Sequence, residues 1–419
     1  MTENKKTAIS RRILFYCWVL LRCSNLLGSI NPDQTGGTHT HFNIAIRVLL
    51  DRDLENIRIS SNAGELTLRA DDRGLWQPMG KEIHAGRFHP FGSPKQKILT
   101  INGVIFRTPK VEIRPESRVG NSFRINGESF RGSIFLIQKS NRILLVNVID
   151  LEDYLKGMLA TEINSYWSVE SLKAQAVASR TYAMYMKDHP RSADYDLERT
   201  ISDQVYGGLN SENTKTSKAI KETEGQFLGE AGKPIKAFFH ARCGGSTETP
   251  ETVWNHKGKQ NHESVECPFC QKNPQPWTTT IDAQTLAEKL GVIPFRKFSV
   301  EVTQRTEGNR ISEFLVVAGK KKIRMNANDF RARLGYKRLK STLFEWKQKA
   351  QQIIFSGVGS GHGVGMCQWG AKHLAETGNN YQQILTHYYP RSTLYGVDQK
   401  TQPSPRVAQS ALYTPINAQ

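Results

Sequence analysis

From residue 44 onward the apolar positions fall on a two-residue period. Ile57-Arg58-Ile59 and Leu66-Thr67-Leu68 alternate apolar with polar, as do Lys97–Ile101 and Ile134–Ile137, and Ile44–Leu50 is a short β-branched run. Turn residues at Asn62-Ala63-Gly64, Asp71–Gly74 and Asn102-Gly103 separate them, so residues 43–149 read as a small β region. At Asp150 the period lengthens. Leu155, Met158, Leu159 and Glu162 fall on one helical face, with Asp150 placed to cap it. A second helix is predicted from Ser168 to Asp188, with Val169, Leu172, Ala176, Ala183 and Met186 on one face and Pro190 just beyond. Strands return over 225–240. The stretch 277–355 mixes strands (298–303, 313–317 and 320–325) with a short helix near Asn328. Further helices are expected at Gly370–Thr377 and Tyr381–His387, and Pro403 and Pro405 among polar residues predict a flexible tail over 397–419. The sum is a mixed α+β protein without internal repeats.

Length and charge narrow the setting. At 419 residues and 47.3 kDa the chain has room for two or three domains. Lys plus Arg outnumber Asp plus Glu by 57 to 39, and the net charge of +18 suits polyanionic surroundings such as nucleic acid, acidic lipid or a charged cell wall. The basic residues are dispersed, with Lys320-Lys321-Lys322 the longest run, and no basic helix has base-reading spacing, so nucleic acid is not an expected partner. At the N-terminus Lys5, Lys6, Arg11 and Arg12 precede the apolar run Ile13–Leu21. That is the outline of a secretory signal within residues 1–30, with a short membrane anchor as the alternative. Export to the periplasm or cell wall is the expected localisation.

Three sets of residues are candidates for chemistry. Glu162 shares its helical face with large apolar residues, and a carboxyl partly withdrawn from water has a raised pKa suited to a general acid. The competing reading is a helix-end glutamate reaching to solvent. The second set is the run 357–370, in which glycines at 357, 359, 361, 363 and 365 surround His362 and precede Gln368. Such glycine density allows close backbone approach, either to a sugar or peptide in a cleft or within a sharp structural turn. The third is cysteine spacing. His240-Ala241-Arg242-Cys243 and Cys267-Pro268-Phe269-Cys270 offer His240, Cys243, Cys267 and Cys270 as four ligands for a structural zinc ion, with His256 and His262 as rival fourth ligands. A disulfide from Cys243 to Cys267 or Cys270, and a redox C-x-x-C pair, are the alternatives. Cys17 and Cys23 fall within the signal or anchor. No Ser-His-Asp or HExxH motif and no phosphate loop occur, and no organic cofactor is expected.

Taken together, several stretches resemble the stage II sporulation protein D family. They are Glu152–Met158 leading to Glu162, Leu172–Ala183, Asp203-Gln204-Val205-Tyr206-Gly207-Gly208, Phe239-His240 with Gly244–Glu248, Val253-Trp254, and Gly361–Ala371. The resemblance spans residues 43–392. It implies a catalytic core over 150–392, with a β-rich insertion near 277–355 and a cleft carried by the small helical segment. It also implies lytic transglycosylase activity on peptidoglycan glycan strands stripped of stem peptides, with Glu162 as catalytic acid. Arg180, Tyr182, Asp203, Gln204 and Tyr206 are then expected to contact the glycan. His240, Gly245, Glu248, His362 and Gln368 are expected to do the same. Some relatives instead enhance a cell-wall amidase, which makes a non-catalytic wall-binding role and an amidase partner the rival expectation. Cys367 stands where serine is usual, and Cys243, Cys267 and Cys270 occur in part of the family only. A single carboxyl group fits this chemistry, since hydrolytic glycosidases use a pair whereas a transglycosylase uses one residue as acid and then base.

Overall fold

The structure, a computed structural model, describes residues 44–70, 74–87, 99–116, 122–139, 142–254, 262–292 and 298–396. The expected signal at 1–30 and tail at 397–419 lie outside the described residues, as do Cys17, Cys23 and His256. Among the described residues no helix is long and apolar enough to cross a membrane.

Two sheets make the first part of the fold. A seven-stranded sheet runs in the order Leu197–Glu198, Ala45–Leu54, Arg142–Asp150, Ser133–Lys139, Lys110–Pro115, Leu66–Arg69 and Gln77–Pro78. A six-stranded sheet runs Glu128–Arg131, Ser122–Ile125, Asn56–Ser61, Glu82–Arg87, Leu99–Ile101 and Val104–Phe106. The inward residues of both sheets (Ile46, Val48, Ile59, Leu68, Ile83, Phe123) share one core with the first two helices. The long strand Arg142–Asp150 is not separable by alternation. It lies between two neighbours, and its run Ile143–Val146 is apolar throughout.

That strand feeds directly into helix α1 (Leu151–Glu162). Asp150 caps it as expected, accepting from the N–H groups of Glu152 (2.9 Å) and Asp153 (3.4 Å). Its buried side, Leu151, Tyr154, Leu155, Met158 and Leu159, packs into the two-sheet core. Helix α2 (Val169–Asp188) is the centre of the molecule, buried along nearly its whole length from Ser171 to Ala183. The small residues Ala174, Ala176 and Ala178 let neighbouring elements approach it closely. The short α3 (Thr214–Glu222) is not legible in the sequence, because Thr216, Ala219 and Ile220 are its only buried positions.

After the short helices α4 (Pro250–Trp254) and α5 (Pro268–Lys272), the chain builds a separate β-rich unit. Strands Pro276–Asp282, Gln352–Val358 and Phe344–Lys349 form one three-stranded sheet, and Phe298–Arg305, Ile311–Ala318 and Lys321–Asn326 form another. Helices α6 (Ala283–Lys289) and α7 (Ala327–Leu334) complete it. Its core, including Trp277, Leu286, Phe314, Phe330, Phe344 and Phe355, is drawn entirely from this stretch. Helices α8 (Gln368–Glu376) and α9 (Tyr381–Tyr388) then pack against α2 around Cys243, Cys267, Cys270 and Cys367. The mixed, β-rich α+β fold is as expected.

Candidate functional site

Glu162 is the last residue of α1, and the segment 203–207 is fastened beneath it. The Val205 N–H donates to Glu162 Oε1 at 2.6 Å, and the Val205 carbonyl accepts from Thr161 Oγ1 at 2.6 Å. The Gly207 N–H reaches the Gly157 carbonyl at 3.0 Å, where a side chain on Gly157 would collide with the Gly208 carbonyl and the Tyr206 ring. Burial raises the Glu162 pKa, and the Val205 hydrogen bond partly opposes it. On the other side Gln368, at the start of α8, donates from Nε2 to the Glu162 carbonyl (3.0 Å) and to Gln175 Oε1 (3.3 Å).

A run of aromatic rings starts at Tyr182, beside the 203–207 segment. Tyr182 donates to Asp203 Oδ1 at 2.8 Å, and Arg191 and the Glu198 N–H also hold that carboxylate. Burial pushes the Tyr182 hydroxyl well above its ordinary pKa, with the Asp203 charge adding to it. The Tyr182 ring lies 6.2 Å from Phe238, which lies 4.9 Å from Trp254 and 5.9 Å from His362. Lys236 sits over Phe238, and burial lowers its pKa. A second group sits beside Gln368, with Trp167 packed edge-on to Trp369 and Arg242 over Trp369. Sequence reasoning does not single out Phe238 and Trp167, whose only signal is the aromatic residue type, and Trp369 enters it only as part of the Gly361–Ala371 motif.

Other expected glycan contacts turn out to be internal. Arg180 is buried, its Nε and Nη2 paired with Glu152 at 2.6 and 2.7 Å and its remaining donors directed at the carbonyls of Gln226 and Ile220. Gln204 is fully buried between the Tyr154 hydroxyl and the Ser179 carbonyl, and Tyr206 is buried against Asn147. These three fasten α1, α2 and the sheet to each other. No face of theirs is open to a ligand. Glu248 is also buried, accepting from Thr306 Oγ1 at 2.5 Å and so tying the β-rich unit to the core. Gly245 accepts the Cys267 N–H at 2.7 Å through its carbonyl.

The alternating glycines have a packing explanation. A Cβ on Gly361 would lie 2.7 Å from the His240 Cβ, and one on Gly365 would lie 2.0 Å from the Phe238 carbonyl. Both have positive φ. They allow 361–367 to run against 238–243, with Phe239 paired to Met366 and His240 to Cys367 in a parallel ladder.

That ladder corrects the expected metal set. The sulfurs of Cys243, Cys267, Cys270 and Cys367 all lie within 4.8 Å of one another, so the fourth ligand position belongs to Cys367 and not to His240. His240 Nδ1 instead faces the Val364 carbonyl at 3.0 Å, and burial pushes its pKa down to about 3. His262 is buried against Phe238 and Tyr389, outside the cysteine group. All four cysteines are free and buried. A hydrogen bond to Cys267 pushes the Cys243 thiol up and burial pushes the Cys367 thiol up, whereas hydrogen bonds from Cys243 hold Cys267 and Cys270 down. Four buried sulfurs converging in this way could hold a metal ion.

Comparison with known proteins covers the stretch that carries Glu162. The family described as stage II sporulation protein matches residues 139–229, the stretch that contains α1, α2 and the 203–207 segment. A domain of unknown function matches residues 276–365, the β-rich unit with its own core. An uncharacterized protein of Brachyspira hyodysenteriae is 35% identical over 274 residues, covering 64% of this chain and 73% of the relative. The stage II sporulation protein D of Bacillus amyloliquefaciens is 34% identical over 262 residues, covering 58% and 74%. An amidase enhancer of Bacillus subtilis is 28% identical over 290 residues, covering 57% of this chain and 40% of that protein. With Glu162 and its supporting segment inside the matched region and coverage of this extent, the chain belongs to the stage II sporulation protein D family.

Proposed function

We propose that this protein is an exported lytic transglycosylase that cleaves the glycan backbone of peptidoglycan, acting on strands without stem peptides. The observation that carries the reading is the Glu162 carboxyl, buried enough to raise its pKa and fixed by the Val205 N–H through one oxygen. Oε2 is then the oxygen that carries the proton. Glu162 donates that proton to the glycosidic oxygen as its bond to the muramyl C1 breaks. The carboxylate next removes the proton from the muramyl 6-hydroxyl as that oxygen closes on C1. The acid is regenerated, no water is consumed, and the new end is a 1,6-anhydro sugar.

The aromatic faces of Phe238, Trp254, Trp167 and Trp369 suit sugar rings, and the +18 charge suits an anionic wall. The metal we assign to the four cysteines is zinc in a structural role, since four thiolates leave no position open for an activated water. The similarity to an amidase enhancer supports a second reading, in which the same cleft presents glycan to a cell-wall amidase. Digestion of purified, peptide-stripped glycan, with mass analysis of the ends and a parallel amidase assay, separates the two. Anhydro ends produced without amidase support the enzyme. Faster amidase turnover with no new glycan ends replaces it with the enhancer.

A further inference from the structure

The four cysteines lie at the neck of the β-rich unit. Cys267 caps α5 and Cys270 lies within it, a few residues before the unit's first strand begins at Pro276. Cys367 follows its last strand, which ends at Val358. Cys243 comes from the core segment that pairs with the returning chain through Arg242 and Ser360. The chain therefore enters and leaves the unit past a single sulfur cluster.

Three features fit that cluster to a tetrahedral metal. The Cys270 and Cys367 sulfurs are 3.6 Å apart. The edge of a tetrahedron with zinc–sulfur arms of about 2.3 Å is about 3.8 Å, whereas a disulfide needs about 2.05 Å. Backbone N–H groups of Cys243 and Gly370 point at Cys367 Sγ (3.3 and 3.4 Å), and that of Gly245 at Cys243 Sγ (3.5 Å), so both sulfurs already sit as hydrogen-bond acceptors, the arrangement a metal-bound sulfur uses. The third feature is Arg310, supplied by the β-rich unit. Its buried guanidinium donates to the Cys243 carbonyl, and its Nη1 has no hydrogen-bond partner among the described residues. Glu248 supplies part of the negative charge this buried cation needs, and zinc held by four thiolates, with a net charge of about −2, would add to it on the Cys243 side. Gly363 leaves room for that side chain, since a Cβ there would lie 2.6 Å from the Arg310 guanidinium carbon.

We infer that a zinc ion held by Cys243, Cys267, Cys270 and Cys367 clamps both ends of the 276–358 unit to the core and thereby sets the glycan cleft. The link to the cleft is short. Cys367 Sγ accepts the Gly370 N–H and caps α8, and the next residue, Gln368, holds the Glu162 carbonyl. The inference rests on the zinc assignment above and is independent of whether Glu162 cleaves glycan.

The test uses the full chain purified under reducing conditions without added metal. Elemental analysis is expected to find about one zinc per chain. Cobalt exchanged into the site is expected to give the absorption of a tetrahedral four-sulfur ion, lost in Cys367→Ser and retained in His240→Ala. Stripping the metal from the wild-type protein, so that no substituted chain has to fold, is expected to raise amide exchange about tenfold or more at 267–282 and 352–371. Exchange in the strands Ala45–Leu54 and Arg142–Asp150 should stay within about twofold, and added zinc should reverse the change. Metal-free protein with a Cys243 disulfide in its peptide map overturns both the zinc assignment and the clamp. Bound zinc whose removal leaves the neck as protected as before overturns the clamp alone.

Discussion

The side-chain amide of Gln368 donates to the main-chain carbonyl of Glu162 at 3.0 Å, joining the first residue of one helix to the last residue of another. The two lie 206 positions apart, with the whole β-rich unit between them. This contact fixes the end of α1, from which the carboxyl projects, while the Val205 N–H fixes the carboxyl itself. Replacing Gln368 by Leu leaves the Glu162 carbonyl and Gln175 Oε1 without that donor. The expected cost in stability is about 1–3 kcal/mol. Glycan cleavage should fall mainly in kcat, with KM little changed, because the sugar-facing rings remain. Thermal melts and initial rates on peptide-stripped glycan check this. A drop in binding alone would place Gln368 in direct contact with substrate.

Replacing Glu162 by Gln is expected to lower glycan cleavage by about 10²–10⁴ while glycan binding survives. Glutamine keeps the volume and can still accept the Val205 N–H, but it cannot deliver a proton. Activity within a few fold of the wild type removes Glu162 from the catalytic role.

The same substitution has a pH signature in stability. Burial raises the Glu162 pKa, so the native state holds its proton over a range where the unfolded chain has lost it. Stability from this group is present below the unfolded value, about 4.3, and is lost as pH rises through the folded value. The Glu162→Gln variant has no such loss. The difference in melting temperature, variant minus wild type, should therefore grow as the pH rises above about 4.3. A difference independent of pH contradicts the raised pKa.

How much of this is legible in the sequence differs by residue. Asp150 and the helix it caps can be read directly, because a cap and a 3.6-residue period are local signals. The Glu162 environment is only half visible. Its apolar face lies in the helix itself, whereas the Val205 N–H arrives from a segment 43 residues on. Cys367 escapes notice as a metal ligand for the same reason. Spacing favours His240, near Cys243, over a cysteine 97 residues beyond Cys270 that only the parallel ladder brings back. Arg180 errs in the opposite direction. Its place in a family motif suggests a ligand contact, but a buried guanidinium whose donors turn into the protein is a brace.

That brace is testable. Removing Arg180, as in Arg180→Met, strands the Glu152 carboxylate in the gap between α1 and α2 and should destabilise the fold by about 3–5 kcal/mol. The double change Arg180→Met with Glu152→Leu should recover much of this, since no lone charge is left. Denaturant melts of the two variants measure it. A double variant as unstable as the single one points to lost packing instead of a stranded charge.

Product chemistry separates one-carboxyl from two-carboxyl cleavage. Two carboxylates among the expected glycan contacts, Asp203 and Glu248, are the ones a two-carboxyl mechanism would call on. Asp203 is held by Tyr182, Arg191 and the Glu198 N–H, and Glu248 is buried against Thr306 and Thr252. Neither is free to activate a water, so ring closure by the muramyl 6-hydroxyl is the expected second half of the reaction. Digestion in ¹⁸O-water should then give new ends that carry no label and have the mass of an anhydro sugar. Label in most ends would mean that water attacks C1. Asp203→Asn would then be the variant to make first, because Asp203 lies two residues from the Val205 contact with Glu162.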